Sequence, residues 1–145
     1  MFDDDSAVSE NGDEIGVLIC DDIDAMRTLL RVVIELRPGL KVVGEARDGN
    51  EAIAEAKHLQ PDVILLDLSM PGRTGFDALP KIRQVAPKAK VIVLSGFVAS
   101  TTAPAVLEIG AALFIEKGAD PDVIVSAIEE VAAKRLPVLL RWQGR

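Results

Sequence analysis

The sequence predicts an α/β fold in which a doubly wound, five-stranded parallel sheet carries five helices on its two faces. Apolar, β-branched runs alternate with helical patterns five times along the chain. The run over residues 63–66 is apolar at every position, as expected for a strand that is buried on both faces. The connections are short, which implies right-handed crossovers. The strand order 2-1-3-4-5 fits, because it brings the ends of strands one and three to the topological switch point.

The first third of the chain predicts a strand, a helix and a second strand. Residues 1–14 lack periodicity, and the first strand is expected at about residues 15–20. Asp24 is expected to cap the helix that follows, and Pro38-Gly39 to end it. The apolar positions of this helix keep a helical spacing and are Met26, Leu29, Leu30, Val33 and Ile34. The second strand then covers residues 40–46.

The middle third predicts two helices, one before and one after the central strand in the chain. Asp48-Gly49-Asn50 leads into a helix that Pro61 ends. Its apolar face consists of Ala52, Ile53, Ala56 and Leu59. His58, the only histidine, falls near the polar side and is expected to be solvated. The third helix is expected at about residues 77–86, because Pro80 is tolerated only in a first turn.

The last third predicts two strands and two helices. Strand four is expected at residues 90–94, and the helix over 99–110 contains Thr101, Thr102 and Pro104, which makes it the least stable one. The fifth strand is expected at residues 111–115. Asp120-Pro121 then supplies a cap and a first-turn proline for a helix over 122–134. Residues 136–145, which contain Trp142, are expected to be a tail or the start of a linker.

Composition and charge restrict the function. The net charge is −7, but six of the 23 acidic residues fall before residue 15, which leaves 17 acids to 16 basic residues in the rest. The acidic tail over 1–14 is therefore expected to be disordered, and the domain over 15–135 to be nearly neutral. There is no basic stripe of the kind that nucleic-acid binding needs. There is also no apolar run of the ~20 residues needed to cross a membrane and no signal peptide, so we expect a cytoplasmic protein.

The single cysteine excludes an internal disulfide. Cys20 lies inside a predicted strand, where a buried and inert thiol is expected.

Polar residues follow four of the predicted strands directly. Asp67 ends the central strand, Asp21-Asp22 follows the first, Ser95-Gly96 the fourth and Glu116-Lys117 the fifth. The carboxyl ends of parallel strands meet at one edge of a sheet, where open α/β sheets place their ligands. A desolvated carboxylate at that edge stays ionised only when a cation or hydrogen-bond donors compensate it.

This set of residue types favours phosphoryl chemistry. Three gathered carboxylates repel one another and favour recruitment of a hard divalent cation, for which Mg²⁺ is the natural choice. Lys117 would supply positive charge to phosphoryl oxygens, and the Ser95 hydroxyl a donor. Taken singly, each residue is more readily interpreted as a turn, a cap or a solvated side chain, and Phe114 as core. Their joint occurrence at consecutive strand ends favours the site.

The pattern resembles the response-regulator receiver (CheY-like) domain of two-component signalling over about residues 15–135. The resemblance rests on the acidic pair, Leu-Leu-Asp-Leu-Ser-Met-Pro-Gly around Asp67, Gly75, Ser95-Gly96, Gly110-Ala111, Phe114 and Lys117. It implies a flavodoxin-like fold and a signalling switch that is not an enzyme acting on a separate substrate. It also implies that a histidine kinase or a phosphotransfer protein delivers the phosphoryl group.

The resemblance also implies a role for each site residue. Asp67 would be the phosphoacceptor. Asp22, Asp67 and the backbone carbonyl of Ser69 would ligate Mg²⁺, with Asp21 acting through a bound water. The phosphoryl group would contact Ser95 and Lys117. Phe114 would be the rotating aromatic of the switch, which alters the surface of helix four, strand five and helix five and with it a homodimer or effector contact.

The stretch over residues 43–52, with no proline after Lys117, is similar to receivers that carry LuxR-type (NarL/FixJ-type) helix-turn-helix outputs. The segment after residue 135 is too short for such an output. We therefore expect a stand-alone receiver or a fragment of a longer regulator, and no direct binding to nucleic acid or membrane.

Three other functions compete with this interpretation. A Mg²⁺-dependent phosphohydrolase with an aspartyl nucleophile would need a second aspartate two residues after Asp67, where this chain has Ser69. A receiver-like interaction module that is never phosphorylated tends to lose an acidic-pair residue or the lysine, and both remain here. A dinucleotide-binding domain would need a glycine-rich turn after the first strand, where this chain has Asp21-Asp22-Ile23-Asp24 instead.

Overall fold

The computed structural model describes residues 14–72, 74–96 and 99–133, without the side chains of residues 99–101. The expected tail over 1–14, apart from Glu14, and the segment with Trp142 lie outside these ranges. Strands and helices alternate throughout. They are β1 (Ile15–Cys20), α1 (Asp24–Glu35), β2 (Leu40–Ala46), α2 (Gly49–Leu59), β3 (Val63–Asp67), α3 (Gly75–Val85), β4 (Lys90–Ser95), α4 (Ala99–Glu108), β5 (Leu113–Glu116) and α5 (Pro121–Ala132).

The five strands form one parallel sheet in the order β2-β1-β3-β4-β5, which confirms the expected 2-1-3-4-5 arrangement. The register decides which residues meet at its carboxyl edge. Cys20 of β1 pairs with Leu66 of β3, so Asp21 and Asp67 are both the next residue beyond that pair. Asp67 pairs with Leu94 of β4. The residues that end the four strands therefore lie at one edge, as the sequence predicted.

The core has two layers, one on each face of the sheet. Leu18, Ile64 and Leu66 face α2, α3 and α4. Val17, Ile19 and Leu65 alternate with them and face α1 and α5. Every residue of β3 is buried, because the helical layers cover both of its faces. Full burial of a Leu or Ile side chain contributes roughly 1.5–3 kcal/mol, so this central strand positions Asp67 rigidly.

The expected start of α1 is wrong by one residue. Asp24 is the first helical residue, and the N-cap position is Ile23, which makes no capping hydrogen bond through its side chain. Asp24 pairs with Arg27 one turn later instead. Leu30 and Ile34 are buried as expected, whereas Leu29 is 48% exposed because the apolar pattern of this helix is wider than the surface that covers it.

The expected start of α3 is also wrong. The helix begins at Gly75, because the Thr74 hydroxyl caps it by accepting from the Asp77 N–H at 3.2 Å. Pro80 consequently falls inside the helix and beyond its first turn. Its side chain faces solvent.

The remaining differences are small. β5 begins at Leu113 rather than at residue 111; before it, the Ala111 N–H donates to the Val106 carbonyl of α4 and the Ala112 N–H to the Val91 carbonyl of β4. Asp120 caps α5, and Pro121 is its first residue, as expected. Within the described ranges, no helix has the length and apolarity that crossing a membrane requires.

Candidate functional site

The β1–α1 connection places the two carboxylates of the acidic pair in different environments. Asp21 is 2% exposed, and its Oδ1 accepts a hydrogen bond from the Ile23 N–H at 2.9 Å. The Asp21 N–H donates to the carbonyl of Ala46 in β2 at 3.0 Å. Asp22 is exposed. The pair therefore offers one carboxylate that is fixed in the protein and one that faces solvent.

Asp67 is buried, and its two carboxylate oxygens differ. Oδ1 accepts from the Ser69 N–H at 3.0 Å. Oδ2 is buried, and no donor other than the Lys117 ammonium faces it in the part of the chain that the structure describes. An oxygen in this condition is costly unless a cation compensates it.

The β3–α3 connection approaches Asp67 so closely that only glycine fits. A Cβ atom on Gly75 would lie 2.3 Å from the carbonyl oxygen of Asp67 and 2.8 Å from the Cα of Leu68. The Gly75 N–H donates to the Leu68 carbonyl at 3.2 Å. The start of α3 therefore packs against the backbone of Asp67 and restrains it.

Lys117 bridges the two buried acids. Its Nζ lies 3.2 Å from Asp21 Oδ2 and 3.2 Å from Asp67 Oδ2. Burial disfavours the ammonium, but Asp67 and Asp21 outweigh it and hold the pKa of Lys117 above its ordinary value. The Lys117 N–H donates to the Ser95 carbonyl at 2.7 Å, which connects the ends of β4 and β5.

The three carboxylates of the site carry more negative charge than Lys117 neutralises. Burial raises the pKa of Asp67, and the charge of Asp21 raises it further, while the Ser69 N–H and Lys117 act in the opposite direction without cancelling the shift. Each of Asp21, Asp22 and Asp67 has a carboxylate oxygen within 4.8 Å of the others. Three carboxylates, of which one is exposed and two share a single ammonium, fit a hard divalent cation.

The other candidates occupy the same edge or its surroundings. Ser95 is fully buried at the end of β4, and Ser69 is exposed beside Asp67. Phe114 is half-buried, packs against the core layer that faces α4, and lines a groove of about 440 Å³ with residues of α5. His58 is exposed, as expected, and Cys20 is buried with a raised thiol pKa. The structure therefore brings the predicted acids, serines and lysine together and leaves the histidine and cysteine out.

Sequence reasoning missed Arg27. This residue is 7% exposed, and its guanidinium donates to the Asp21 carbonyl at 2.6 Å, next to the acidic pair. A signal was present, because Arg27, Leu30 and Ile34 keep the spacing of one helix face, and an arginine on an otherwise apolar face requires partners.

Comparisons with known proteins agree with this geometry. Residues 17–129 match the family model described as "Response regulator receiver domain". The nitrate/nitrite response regulator protein NarP of Escherichia coli (strain K12) is 43% identical over 112 residues, covering 77% of this chain and 52% of NarP. The chemotaxis protein CheY of Thermotoga maritima is 37% identical over 116 residues, covering 80% of this chain and 96% of CheY. The chain thus spans about half the length of NarP and nearly all of CheY.

Solved structures show the same fold. The response regulator domain of Thermotoga maritima CheB superposes with a TM-score of 0.77 at 33% identity, covering 83% of this chain and 97% of that one. A LuxR-family two-component response regulator from Aurantimonas sp. SI85-9A1 gives a TM-score of 0.79 at 34% identity, covering 83% and 86%. The family match covers most of the chain, and the acidic edge lies where the sheet topology places a ligand. This chain belongs to the response regulator receiver family of two-component systems.

Proposed function

We propose that the chain is a phosphoryl-accepting switch in which Asp67 receives a phosphoryl group from a histidine kinase or a phosphotransfer protein. The observation that carries the proposal is the state of Asp67 Oδ2. This oxygen is buried, and the partner that the described residues offer it is the Lys117 ammonium, 3.2 Å away. It also faces two further carboxylates. A nucleophilic oxygen beside a fixed cation and a cation-binding cluster is suited to attack on phosphorus.

The acidic cluster supports a role for Mg²⁺. Asp22, Asp67 and the backbone carbonyl of Ser69 would hold the ion, with Asp21 acting through a water. The exposure of Asp22 favours this arrangement, because Mg²⁺ retains several waters and needs an open side. When bound, the ion neutralises the surplus acids and polarises the phosphoryl oxygens.

The proposed transfer is a displacement at phosphorus. Oδ2 of Asp67 forms a bond to the phosphorus of the donor phosphohistidine while the phosphorus–nitrogen bond breaks, and the imidazole leaves and takes up a proton. Lys117 remains beside the new acyl phosphate and balances its charge. Because an acyl phosphate is high in energy, water later releases the phosphate, and the chain acts on itself rather than as an enzyme on a separate substrate.

The output of the proposed switch lies at β4 and β5. A phosphoryl group brings acceptor oxygens to the edge, and the Ser95 hydroxyl on the neighbouring strand would turn toward them. Phe114 would then turn inward and alter the surface of α4, β5 and α5, through which a second copy or an effector would bind. A partnership with the cytoplasmic part of a sensor kinase would place this action in the cytoplasm.

Intact-mass spectrometry with acetyl phosphate and Mg²⁺ tests the phosphoacceptor. We expect the wild-type chain to gain the mass of one phosphoryl group and Asp67→Asn to gain none. Asp77→Asn removes an exposed carboxylate on α3 and serves as the matched control, for which we expect the wild-type mass gain. Chelation of the metal should abolish the gain in every variant. An undiminished gain in Asp67→Asn would refute the proposal.

A further inference from the structure

Arg27 is a buried cation with a set of partners that the family assignment does not explain. Its Nη1 donates to the Asp21 carbonyl at 2.6 Å, and its Nε donates to Glu45 Oε1 of β2 at 2.9 Å. Its Nη2 pairs with Asp24. One side chain on α1 therefore joins the loop that contains the acidic pair to the neighbouring strand.

The bond to the Asp21 carbonyl controls the direction of Asp22. That carbonyl belongs to the peptide plane between Asp21 and Asp22, so a fixed oxygen fixes the plane from which the Cα–Cβ bond of Asp22 departs. Asp21 is held separately, through its own N–H and Oδ1. Asp22 is the exposed member of the cluster. The guanidinium thus holds the Asp22 end of the cluster through the backbone.

The charges around Arg27 nearly cancel. Asp24 and Glu45 both contact its guanidinium, and Arg31 contacts the second oxygen of Glu45 at 2.8 Å. Two arginines therefore face three carboxylates, because Arg31 also lies 3.6 Å from Glu35, and these pairs leave no net positive charge to act on the acidic cluster. These contacts hold the pKa of Glu45 below its ordinary value despite its partial burial, which keeps it ionised as an anchor for Arg27. The influence of Arg27 on the site is consequently geometric.

We propose that Arg27 is a positioning residue for the cation site: anchored on Glu45, it holds the Asp21–Asp22 peptide and thereby sets the affinity of the acidic cluster for a divalent cation. The inference rests on the cation-binding role of that cluster in the proposed function. A rigid fork suits the task, because two separate nitrogens, Nη1 and Nε, donate to the Asp21 carbonyl and to Glu45, whereas an ammonium would have to reach both from a single nitrogen.

Isothermal titration of the unphosphorylated chain with Mg²⁺ tests the inference without relying on phosphorylation. Loss of a partner that orients metal ligands weakens metal affinity roughly 10–100-fold. We expect Arg27→Gln and Arg27→Lys to weaken Mg²⁺ binding about tenfold, and Glu45→Gln to weaken it by a smaller factor. Arg31→Gln is the matched control, because it removes the same charge from the same helix and the same glutamate without touching the Asp21 loop. We expect its Mg²⁺ affinity to stay within about twofold of wild type.

The dependence of acetyl phosphate labelling on Mg²⁺ supplies a second measurement. At saturating Mg²⁺, we expect the Arg27 variants to regain the wild-type labelling rate, because Asp67 and Lys117 are untouched. Wild-type affinity in Arg27→Lys would overturn the geometric role, and an equal loss in Arg31→Gln would assign the effect to charge. If Arg27→Gln fails to fold, Arg27→Lys and Glu45→Gln decide, and unchanged Mg²⁺ affinity in both overturns the inference. Absence of Mg²⁺ binding in the wild type would instead refute the cation site of the proposed function.

Discussion

The two halves of the carboxyl edge are held in different ways. At the ends of β1 and β3, Arg27 holds the acidic loop, and Gly75 packs against the backbone of Asp67. On the other side, α4 contains Pro104, and Val106 is its only buried side chain among residues 102–108. Leu107 is 45% exposed. The first half is held by charges and close backbone contacts, whereas the helix of the second half buries one apolar side chain over residues 102–108.

In the proposed switch, the two halves would have different parts: the acidic half would bind the ligand, and the half around α4 would move. The acidic half places its carboxylates before any ligand arrives, so little reorganisation is needed there. The half around α4 has few buried contacts to break, so a change at the site can shift it at a small free-energy cost. Substitutions in each half test whether the two halves differ in this way.

The largest expected effect is that of Gly75→Ala in the acidic half. The added Cβ would meet the Asp67 carbonyl oxygen at 2.3 Å, so α3 or the end of β3 has to move. We expect the free energy of unfolding to fall by about 2–3 kcal/mol and labelling at Asp67 to slow, measured by chemical denaturation and intact mass. Gly96→Ala is the control, because no described atom lies within 4 Å of its added Cβ. An equally stable Gly75→Ala would show that the close contact does not hold the site.

Asp22→Ala sharpens the role of the acidic pair. We expect Mg²⁺ affinity to fall at least tenfold, because the variant removes a proposed ligand. The metal-free fold should be as stable as wild type or more stable, by on the order of 1 kcal/mol, because like charges are relieved. Thermal melts with and without Mg²⁺ measure both effects. Normal Mg²⁺ binding together with a lower melting temperature would make the pair a structural element.

Ser95→Ala tests the separation of the two halves. We expect this variant to accept phosphate at Asp67 and to lose most of the coupling to the α4 surface, which is typically about 1–3 kcal/mol in allosteric proteins. Hydrogen exchange with and without beryllofluoride measures the coupling, with Ser126→Ala on α5 as the control. In the wild type, protection changes limited to the loops around Asp67, with none over residues 99–118, would contradict the proposed route.

The smallest expected effect is a pH dependence of stability. Because the folded-state pKa of Asp67 is raised, this group stabilises the fold below the unfolded pKa of about 4, and that contribution is lost as pH rises through the folded value. The Asp67→Asn variant has no carboxyl group to ionise at this position, so it does not lose this stability as pH rises. We therefore expect the variant to gain about 1 kcal/mol over the metal-free wild type between acidic and neutral pH, measured by urea denaturation. A difference that is constant with pH would contradict this.

The sequence alone was sufficient for the strands, their order and the gathering of the acids. Strand periodicity is local, and in a parallel sheet each strand end is brought to the same edge, so Asp67 at the end of β3 and Asp21 at the end of β1 had to be neighbours. The cap and proline before α5 were also readable, because Asp120 and Pro121 act on adjacent residues.

Tertiary structure decided what depends on contacts between distant residues. The Thr74 cap that starts α3 is a local signal, but the close approach of Gly75 to the Asp67 carbonyl is a tertiary contact that no local propensity contains. Two partners of Arg27, Glu45 of β2 and the Asp21 carbonyl, lie on other elements, so only the packing of α1 onto the sheet identifies them. The pairing of the buried Asp67 oxygen with Lys117 likewise results from packing between distant elements. Local patterns determine where a charge is placed along the chain, whereas long-range packing decides whether water or protein compensates it.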